Sequence, residues 1–362
     1  MYWELETPSV IVDLDILDGN ITAMASKLHA AGIVHRPHVK THKSIALARR
    51  QLDAGAIGIT VAKLGEAEVF AQAGFDNILV AYSLVGERKL NRFAALHEQL
   101  TVLTTVDSLA VAQGLSSVGT RTGKRVQVLI EIDMGMHRCG IQPRDAVSFA
   151  DSIRALPGVE IVGVMEYNAL VRDGISELST RKALEEESRI VASVAEALQA
   201  AGHDTRIVSA GSSVAGRYAD SLHGITELRC GSYIYYDAGS VAIGIATEAE
   251  CALRVLATIV STPMPGRATF DAGSKTLTSD GAHGRTGYGI VVGHPGVRVT
   301  ALNEEHGYLQ FDPAADAFTI GDRIQIIPNH ACVLPNLTDV VHGVRGSAVT
   351  ESIPVDARGR NK

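Results

Sequence analysis

Residues 36–43 read Arg36-Pro37-His38-Val39-Lys40-Thr41-His42-Lys43, five cations or potential cations in a chain whose net charge is −7. A lysine needs a lowered pKa to act as a nucleophile near neutral pH, and neighbouring cations lower it. The chemistry open to Lys40 is therefore Schiff-base formation with an aldehyde. The plain alternative is a solvated basic loop. The sequence does not say which of His38, His42 and Lys43 face Lys40.

A second constellation lies far downstream, at Pro328-Asn329-His330-Ala331-Cys332. Ile324 and Ile326 alternate along a strand that runs into it. In an extended chain, residues two apart share one face. His330 and Cys332 are thus expected to bind one metal ion together, and an imidazole–thiolate pair suits Zn²⁺. Two ligands do not close a structural site. The remaining positions are left to water or substrate, which suits Lewis-acid catalysis. Asp339 and His342 are near enough in sequence to support the ligands. Such a short motif also arises by chance, so its weight depends on its company.

The elements that must position these residues follow a rhythm. Ser9–Asp13 reads as a strand. Leu17, Ile21, Met24 and Leu28 then form one apolar stripe of a helix. From the extended stretch ending at Lys40, strands and amphipathic helices alternate as far as Leu228. Strands are expected at 33–39, 56–62, 77–81, 100–105, 126–132, 159–165, 206–209 and 225–228. Unalternating strands separated by amphipathic helices mean parallel βα units. Eight units in about 215 residues predict an α/β fold, a closed (β/α)8 barrel of the TIM type. An open doubly wound sheet is the alternative, but no GxGxxG follows the first strand. After about residue 245 only short β candidates appear. The barrel is expected over residues 8–245 and an all-β domain carrying the metal motif over 246–362. The strand within residues 1–13 precedes the barrel and is free to pack with that β domain.

Active sites of such barrels lie where the C-terminal ends of the strands meet the βα loops. There the sequence places Lys40, then Asp133-Met134-Gly135-Met136-His137-Arg138-Cys139-Gly140 after strand five, and Glu166-Tyr167-Asn168 after strand six. Strands seven and eight end in Ser209-Ala210-Gly211-Ser212-Ser213 and Arg229-Cys230-Gly231-Ser232-Tyr233. Gly/Ser loops at those two ends are where this fold binds phosphate, through free backbone N–H groups and a helix N-terminus. A phosphate-bearing ligand near Lys40 is expected. The structural alternatives are a helix cap at Ser212-Ser213, a surface Arg138 and a core Tyr167.

Composition excludes several classes. With 46% hydrophobic and 20% charged residues the chain can bury a sizeable core. It has no basic block beyond 36–43, which argues against nucleic acid. No apolar run is long enough for a membrane span, and the N-terminus does not resemble a signal peptide. The four cysteines, Cys139, Cys230, Cys251 and Cys332, are far apart, which fits a reducing cytoplasm.

Over nearly its whole length the sequence resembles the fold-type III pyridoxal phosphate (PLP) enzymes, the alanine-racemase-like barrels, and within them the D-threonine aldolase / D-serine dehydratase branch. The matching residues are Thr7-Pro8-Ser9 with Asp13-Leu14-Asp15, the 36–43 segment, Met136–Gly140, Thr226–Tyr233 and Pro328–Cys332. The resemblance implies that Lys40 forms the Schiff base with PLP and acts as the proton-transfer base. It implies that Arg138 bonds the cofactor's phenolic oxygen and that Tyr167 stacks on its ring. Gly211, Ser212, Gly231 and Ser232 would hold the phosphate, with Ser209 and Tyr233 in the same two loops. Arg229 matches the alanine-racemase arginine beside the pyridine nitrogen, a position that varies in this branch. Zn²⁺ or Mn²⁺ at His330 and Cys332 would chelate the 3-hydroxyl of a D-3-hydroxy amino acid. Dehydration and aldol cleavage are both open. Some aldolases of this branch carry a histidine directly after the tyrosine and an aspartate as second metal ligand, so Asn168 and Cys332 lean toward dehydration. A head-to-tail homodimer is also implied. The rival readings are a racemase using Tyr288 as second base, a non-catalytic PLP carrier and a zinc-stabilised structural module.

Overall fold

A computed structural model describes residues 1–168, 176–282 and 284–362. The first strand, β1 (Ser9–Asp13), leads directly into α1 (Leu14–Ala30), because the Asp13 carboxylate accepts the Asp15 and Ile16 N–H groups at 3.1 Å and caps the helix. Leu17, Ile21, Met24 and Leu28 are the buried face of α1. Alternation then sets in with β2 (Val34–His35), α2 (Ile45–Asp53), β3 (Ile59–Val61), α3 (Leu64–Gln72), β4 (Asn77–Val80) and α4 (Glu87–Gln99). It continues through β5 (Thr101–Val106), α5 (Leu109–Thr122), β6 (Val126–Ile132), α6 (Ala146–Ile153), β7 (Val159–Glu166) and α7 (Glu177–Ala200). The series ends with β8 (Ile207–Ala210), the short α8 (Ser213–Arg217), β9 (Glu227–Leu228) and α9 (Ala238–Ala242).

Strands β2 to β9 form one parallel sheet in the order β2-β9-β8-β7-β6-β5-β4-β3. The sheet curls until its edges meet. Beyond β2, the Pro37 carbonyl accepts the Thr60 N–H at 2.8 Å, and His38 bridges to Thr60. Strand residues alternate between two cores. Ile78, Val80, Val102, Val128 and Ile130 pack under the helices, whereas Leu79, Leu103, Leu129, Val162 and Met165 form a separate cluster that fills the inside.

The remaining strands are β10 (Leu253–Met264), β11 (Arg267–Phe270), β12 (Ile290–Val291), β13 (Arg298–Leu302), β14 (Gly307–Gln310), β15 (Arg323–Ile327), β16 (Val340–Arg345) and β17 (Ala348–Pro354), with one helical turn, α10 (Ser274–Leu277). Their sheet runs β11-β14-β13-β12-β15-β10-β1-β16-β17, and β11 also pairs with β10. Six strands therefore close a ring, while β1, β16 and β17 extend from it. β1 pairs antiparallel with β10 and parallel with β16, so the first strand of the chain belongs to this sheet. Among the described residues, no helix is long and apolar enough to cross a membrane.

Candidate active site

Lys40 sits on a single 3-10 turn, Val39–Thr41, at the mouth end of the barrel. The strand leading to it is held on both sides, by Arg36 N–H to Leu228 O and His38 N–H to Cys230 O as well as by Thr60. The turn is closed by the His42 and Lys43 N–H groups on Val39 O, and Lys43 then takes a left-handed φ of 52°. Lys40 is exposed, with its Nζ 5.9 Å from the centre of the Tyr167 ring. The Arg138 guanidinium lies 5.0 Å from the same ring. Three residues from three strand ends thus converge.

The cations expected from the motif itself do not crowd Lys40. Burial pushes His42 down to about 4, against hydrogen bonds with Gln51 and Ser44. Burial also holds His38 well below its ordinary value, with the charges of Lys40, Arg229 and Arg138 adding to the effect. Both imidazoles are neutral at neutral pH. Lys43 is buried and paired with Glu66 at 3.1 Å. Among the described residues, the charges that act with Lys40 on His38 are those of Arg138 and Arg229, from distant strands.

Arg138 is carried by a loop that Asp133 organises. Asp133 Oδ1 accepts the Gly135 and His137 N–H groups at 3.0 Å, and Oδ2 bonds His137 Nδ1 at 2.8 Å and Gln142 Nε2 at 3.0 Å. Burial raises its pKa, but these bonds outweigh it and hold the carboxyl low. Gly140 closes the loop at φ 98°, where a Cβ would meet Asp133 N at 2.7 Å.

Arg229 is buried inside the barrel wall. Its Nη1 donates to Ser209 Oγ at 2.6 Å and its Nη2 to the Glu166 carbonyl. Ser209 Oγ in turn donates to Glu227 Oε1 at 2.7 Å, and Arg36 Nε meets Glu227 Oε2 at 2.8 Å. Ser209 is therefore engaged within this network and fully buried. Tyr233 is also turned into the core, its hydroxyl accepting from Gln51 Nε2 at 2.8 Å and its ring edge-on to His35. The other residues sit on the loops that follow β8 and β9, Gly211 and Gly231 buried and Ser212 and Ser232 partly exposed. Ser212 caps α8 through Ala215 N–H, as one structural alternative foresaw, and Ser213 Oγ bonds Ser232 Oγ at 2.8 Å. Gly231 packs against the lysine turn so closely that a Cβ would meet His38 O at 2.7 Å and Thr41 Oγ1 at 2.9 Å.

The His-x-Cys motif lies beyond the end of β15 in a turn rather than on an extended strand. The Asp237 carboxylate takes the Ala331 N–H at 3.0 Å and the Pro328 carbonyl takes the Ala238 N–H, which bends the chain away from the sheet. The side chains still meet. His330 and Cys332 are within hydrogen-bond reach of each other, and the thiol and then Asp280 raise the His330 pKa to about 9 against burial. Asp280 Oδ2 holds His330 Nδ1 at 2.7 Å, so Nε2 is the nitrogen that a metal would take. Cys332 Sγ lies 3.2 Å from Thr41 Oγ1, one residue after Lys40. The motif therefore lies against the lysine turn of its own chain. Asp339 instead pairs with Arg358, and His342 lines a separate cavity of about 300 Å³ with Pro8 and Thr338. Tyr288 packs on the core of the β domain. Thr41 and Asp133 are singled out only within longer segments, with no role of their own, and Asp237 and Asp280 escape the sequence reading. An aspartate directly at a strand end before a glycine was a usable signal for Asp133. Nothing local marks Asp237 or Asp280.

Residues 12–239 match the family model described as alanine racemase, N-terminal domain, and residues 252–344 match the putative serine dehydratase domain. The chain belongs to the alanine-racemase-like family of PLP-dependent lyases. Within that family it is 38% identical to a D-threo-3-hydroxyaspartate dehydratase from Delftia sp., over 91% of both chains. It is 32% identical to a D-threonine aldolase from Arthrobacter sp., over 98% of this chain and 93% of the relative. The solved D-threonine aldolase of Filomicrobium marinum superposes with a TM-score of 0.91 at 30% identity, covering 99% of this chain and 98% of that one. The Delftia dehydratase gives the same score at 33% identity over 97% and 98%. That enzyme has also been solved as a cysteine-to-alanine variant in a metal-free form.

The residues present fit the family's cofactor. An exposed lysine faces an aromatic ring and an arginine, beside a loop whose glycine cannot carry a Cβ. The donor set of His330 and Cys332 likewise fits a metal with open positions. Among the described residues no third histidine, cysteine or carboxylate joins them.

Proposed function

We propose that this chain is a PLP-dependent, divalent-metal-assisted lyase of D-3-hydroxy amino acids, with dehydration of a D-serine or D-3-hydroxyaspartate type substrate as its reaction. The observation that carries this reading is the Thr41–Cys332 contact, which sets an imidazole–thiol pair beside the lysine of the same chain. The most identical of the relatives named above, a dehydratase, supports the choice of reaction. Aldol cleavage to glycine and an aldehyde is the second reading, favoured by aldolase relatives that cover almost the whole chain.

In this reading Lys40 anchors PLP, Arg138 holds its phenolic oxygen and Tyr167 covers its ring. Ser212, Gly231 and Ser232 would hold the phosphate through backbone N–H and hydroxyl groups, Gly211 would shape their loop while its own N–H goes to Glu166, and Arg229 would stand at the ring nitrogen. When bound, PLP supplies an electron sink for charge at the substrate Cα, and Zn²⁺ or Mn²⁺ on His330 and Cys332 supplies a Lewis acid for the 3-hydroxyl. Lys40 Nζ takes the Cα proton in dehydration. Neutral His38 adds no positive charge beside that amine, so Arg138 and Arg229 set the local field. Unpaired cysteines are consistent with a cytoplasmic enzyme, and a homodimer is part of the proposal. The test is incubation with D-serine, D-threonine and D-threo-3-hydroxyaspartate plus Zn²⁺ or Mn²⁺. Keto acid and ammonia are the expected products; glycine and aldehyde would move the assignment to aldol cleavage. Rapid interconversion of D- and L-alanine without either would mean a racemase.

A further inference from the structure

Behind the candidate site, β7 meets α7 through two carboxyl groups. Glu166, the last residue of β7, is buried, and Glu187 on α7 is partly buried. The two carboxyls lie within hydrogen-bond reach of each other. Glu166 Oε1 accepts the Gly211 N–H at 3.3 Å, while its Oε2 is buried without a donor. Asn168 Nδ2 donates to Glu187 Oε2 at 3.4 Å. Among the described residues, the charges acting on the pair are their own and that of Arg229, which approaches Glu166 from the β9 side. Two ionised carboxylates do not share a buried contact, because their repulsion in a low dielectric drives one of them to keep its proton.

We propose that Glu187 holds a proton at neutral pH and donates it to the Glu166 carboxylate, and that this acid–carboxylate bond positions the β7 end that carries Tyr167. The arrangement assigns the proton to Glu187. Glu166 is the member beside a guanidinium and a backbone N–H, both of which favour its ionised form. Burial and the facing Glu166 both push the Glu187 pKa up. Glu166 joins three parts of the site. Its carbonyl takes Arg229, its carboxylate takes the Gly211 loop, and the next residue is the ring that faces Lys40. Glu187 is thus a positioning residue acting through Glu166.

The proton leaves a thermodynamic mark. A carboxyl whose pKa is raised by folding binds more protons in the native chain than in the unfolded one, so its contribution to stability falls as pH rises. E187Q keeps a donor and removes that loss. The PLP-loaded full chain is melted across pH as wild type, E187Q and E187A. E187Q is expected to melt about 2–4 °C above wild type near about pH 8, with the gap closing toward about pH 4. The infrared carbonyl band of a protonated carboxylic acid is expected in the wild type at the higher pH and absent in E187Q. E187A is expected to bind PLP about tenfold more weakly, and E187Q to restore the affinity. A wild-type to E187Q gap independent of pH, or a wild type lacking the acid band, overturns the shared proton. E187A with wild-type PLP affinity overturns the positioning role. The melting and infrared comparisons stand whether or not the reaction assigned above is right, and they survive a failure of E187A to fold.

Discussion

At Lys40 the electrostatics come from tertiary neighbours rather than from the motif. With His38 and His42 neutral, Arg138 and Arg229 are, among the described residues, the cations that join Lys40 at the site. This explains why the 36–43 segment read as an ambiguous basic loop. Its charge count overstated the local field, because burial decides which imidazoles ionise and burial is not written in eight residues. Lys40 itself is exposed and holds no core position. Lys40→Ala should therefore abolish the visible absorbance of lysine-bound PLP while changing stability by about 0.5 kcal/mol or less. A variant that still shows that absorbance would remove Lys40 as the anchor. The proposed metal ligands depend on a residue the sequence does not advertise. Asp280 fixes His330 through Nδ1, so Asp280→Asn should weaken Zn²⁺ or Mn²⁺ binding about 10–100-fold, measured by calorimetry on PLP-loaded protein. Unchanged affinity would show that His330 orients itself.

At the scale of elements, the lysine turn is tied to three neighbours: the β9 loop through Gly231, the β15 turn through Thr41 and Cys332, and α3 through Lys43 and Glu66. The last tie is a buried ion pair with side-chain exposures of 4% and 1%, completed by the Asn336 and Asn361 side-chain Oδ1 atoms, which accept from Lys43 Nζ at 2.8 and 3.0 Å. Removing the ammonium alone leaves the Glu66 carboxylate buried and uncompensated. Lys43→Met should cost about 3–5 kcal/mol, and adding Glu66→Leu should recover much of it. Urea midpoints of the two variants check this; equal midpoints for Lys43→Met and wild type would show the tie to be dispensable. The alternation of strands and helices was readable because each strand is apolar on both faces and each helix on one. β17 was not, since its residues are largely exposed and carry no apolar run. The pairing of His330 with Cys332 was readable for the wrong reason. A turn made by Asp237, not strand alternation, brings them together.

Over the whole molecule, two closed sheets share one chain, and the site lies where the barrel mouth meets the β15 turn. Both bodies were legible because the apolar periodicity changes near residue 245. The partnership of β1 with β10 and β16 rests on contacts some 240 and 330 residues apart, which no local pattern encodes. The molecule also carries an acid-sensitive interior. His35 and His42 are neutral in the fold, with pKa values held near about 4 by burial. The unfolded chain binds protons at these imidazoles first, so stability should fall as pH drops from about 6.5 to about 4, opposite in sign to the Glu187 effect. Melting temperature against pH reads this directly, and His42→Gln should flatten part of the slope. Metal removal should behave differently. The β ring is closed by strand pairing around buried Phe270, Leu309, Ile326 and Ile327, and among the described residues the proposed metal motif offers two ligands at its edge. Chelation of the holoenzyme should therefore abolish lyase activity while lowering the melting temperature by no more than about 2–4 °C, the small linkage loss of a bound ion. Activity should return with Zn²⁺ or Mn²⁺. Cooperative unfolding on chelation would instead make the ion a structural staple, the behaviour of small zinc modules whose fold exists only when the metal is bound.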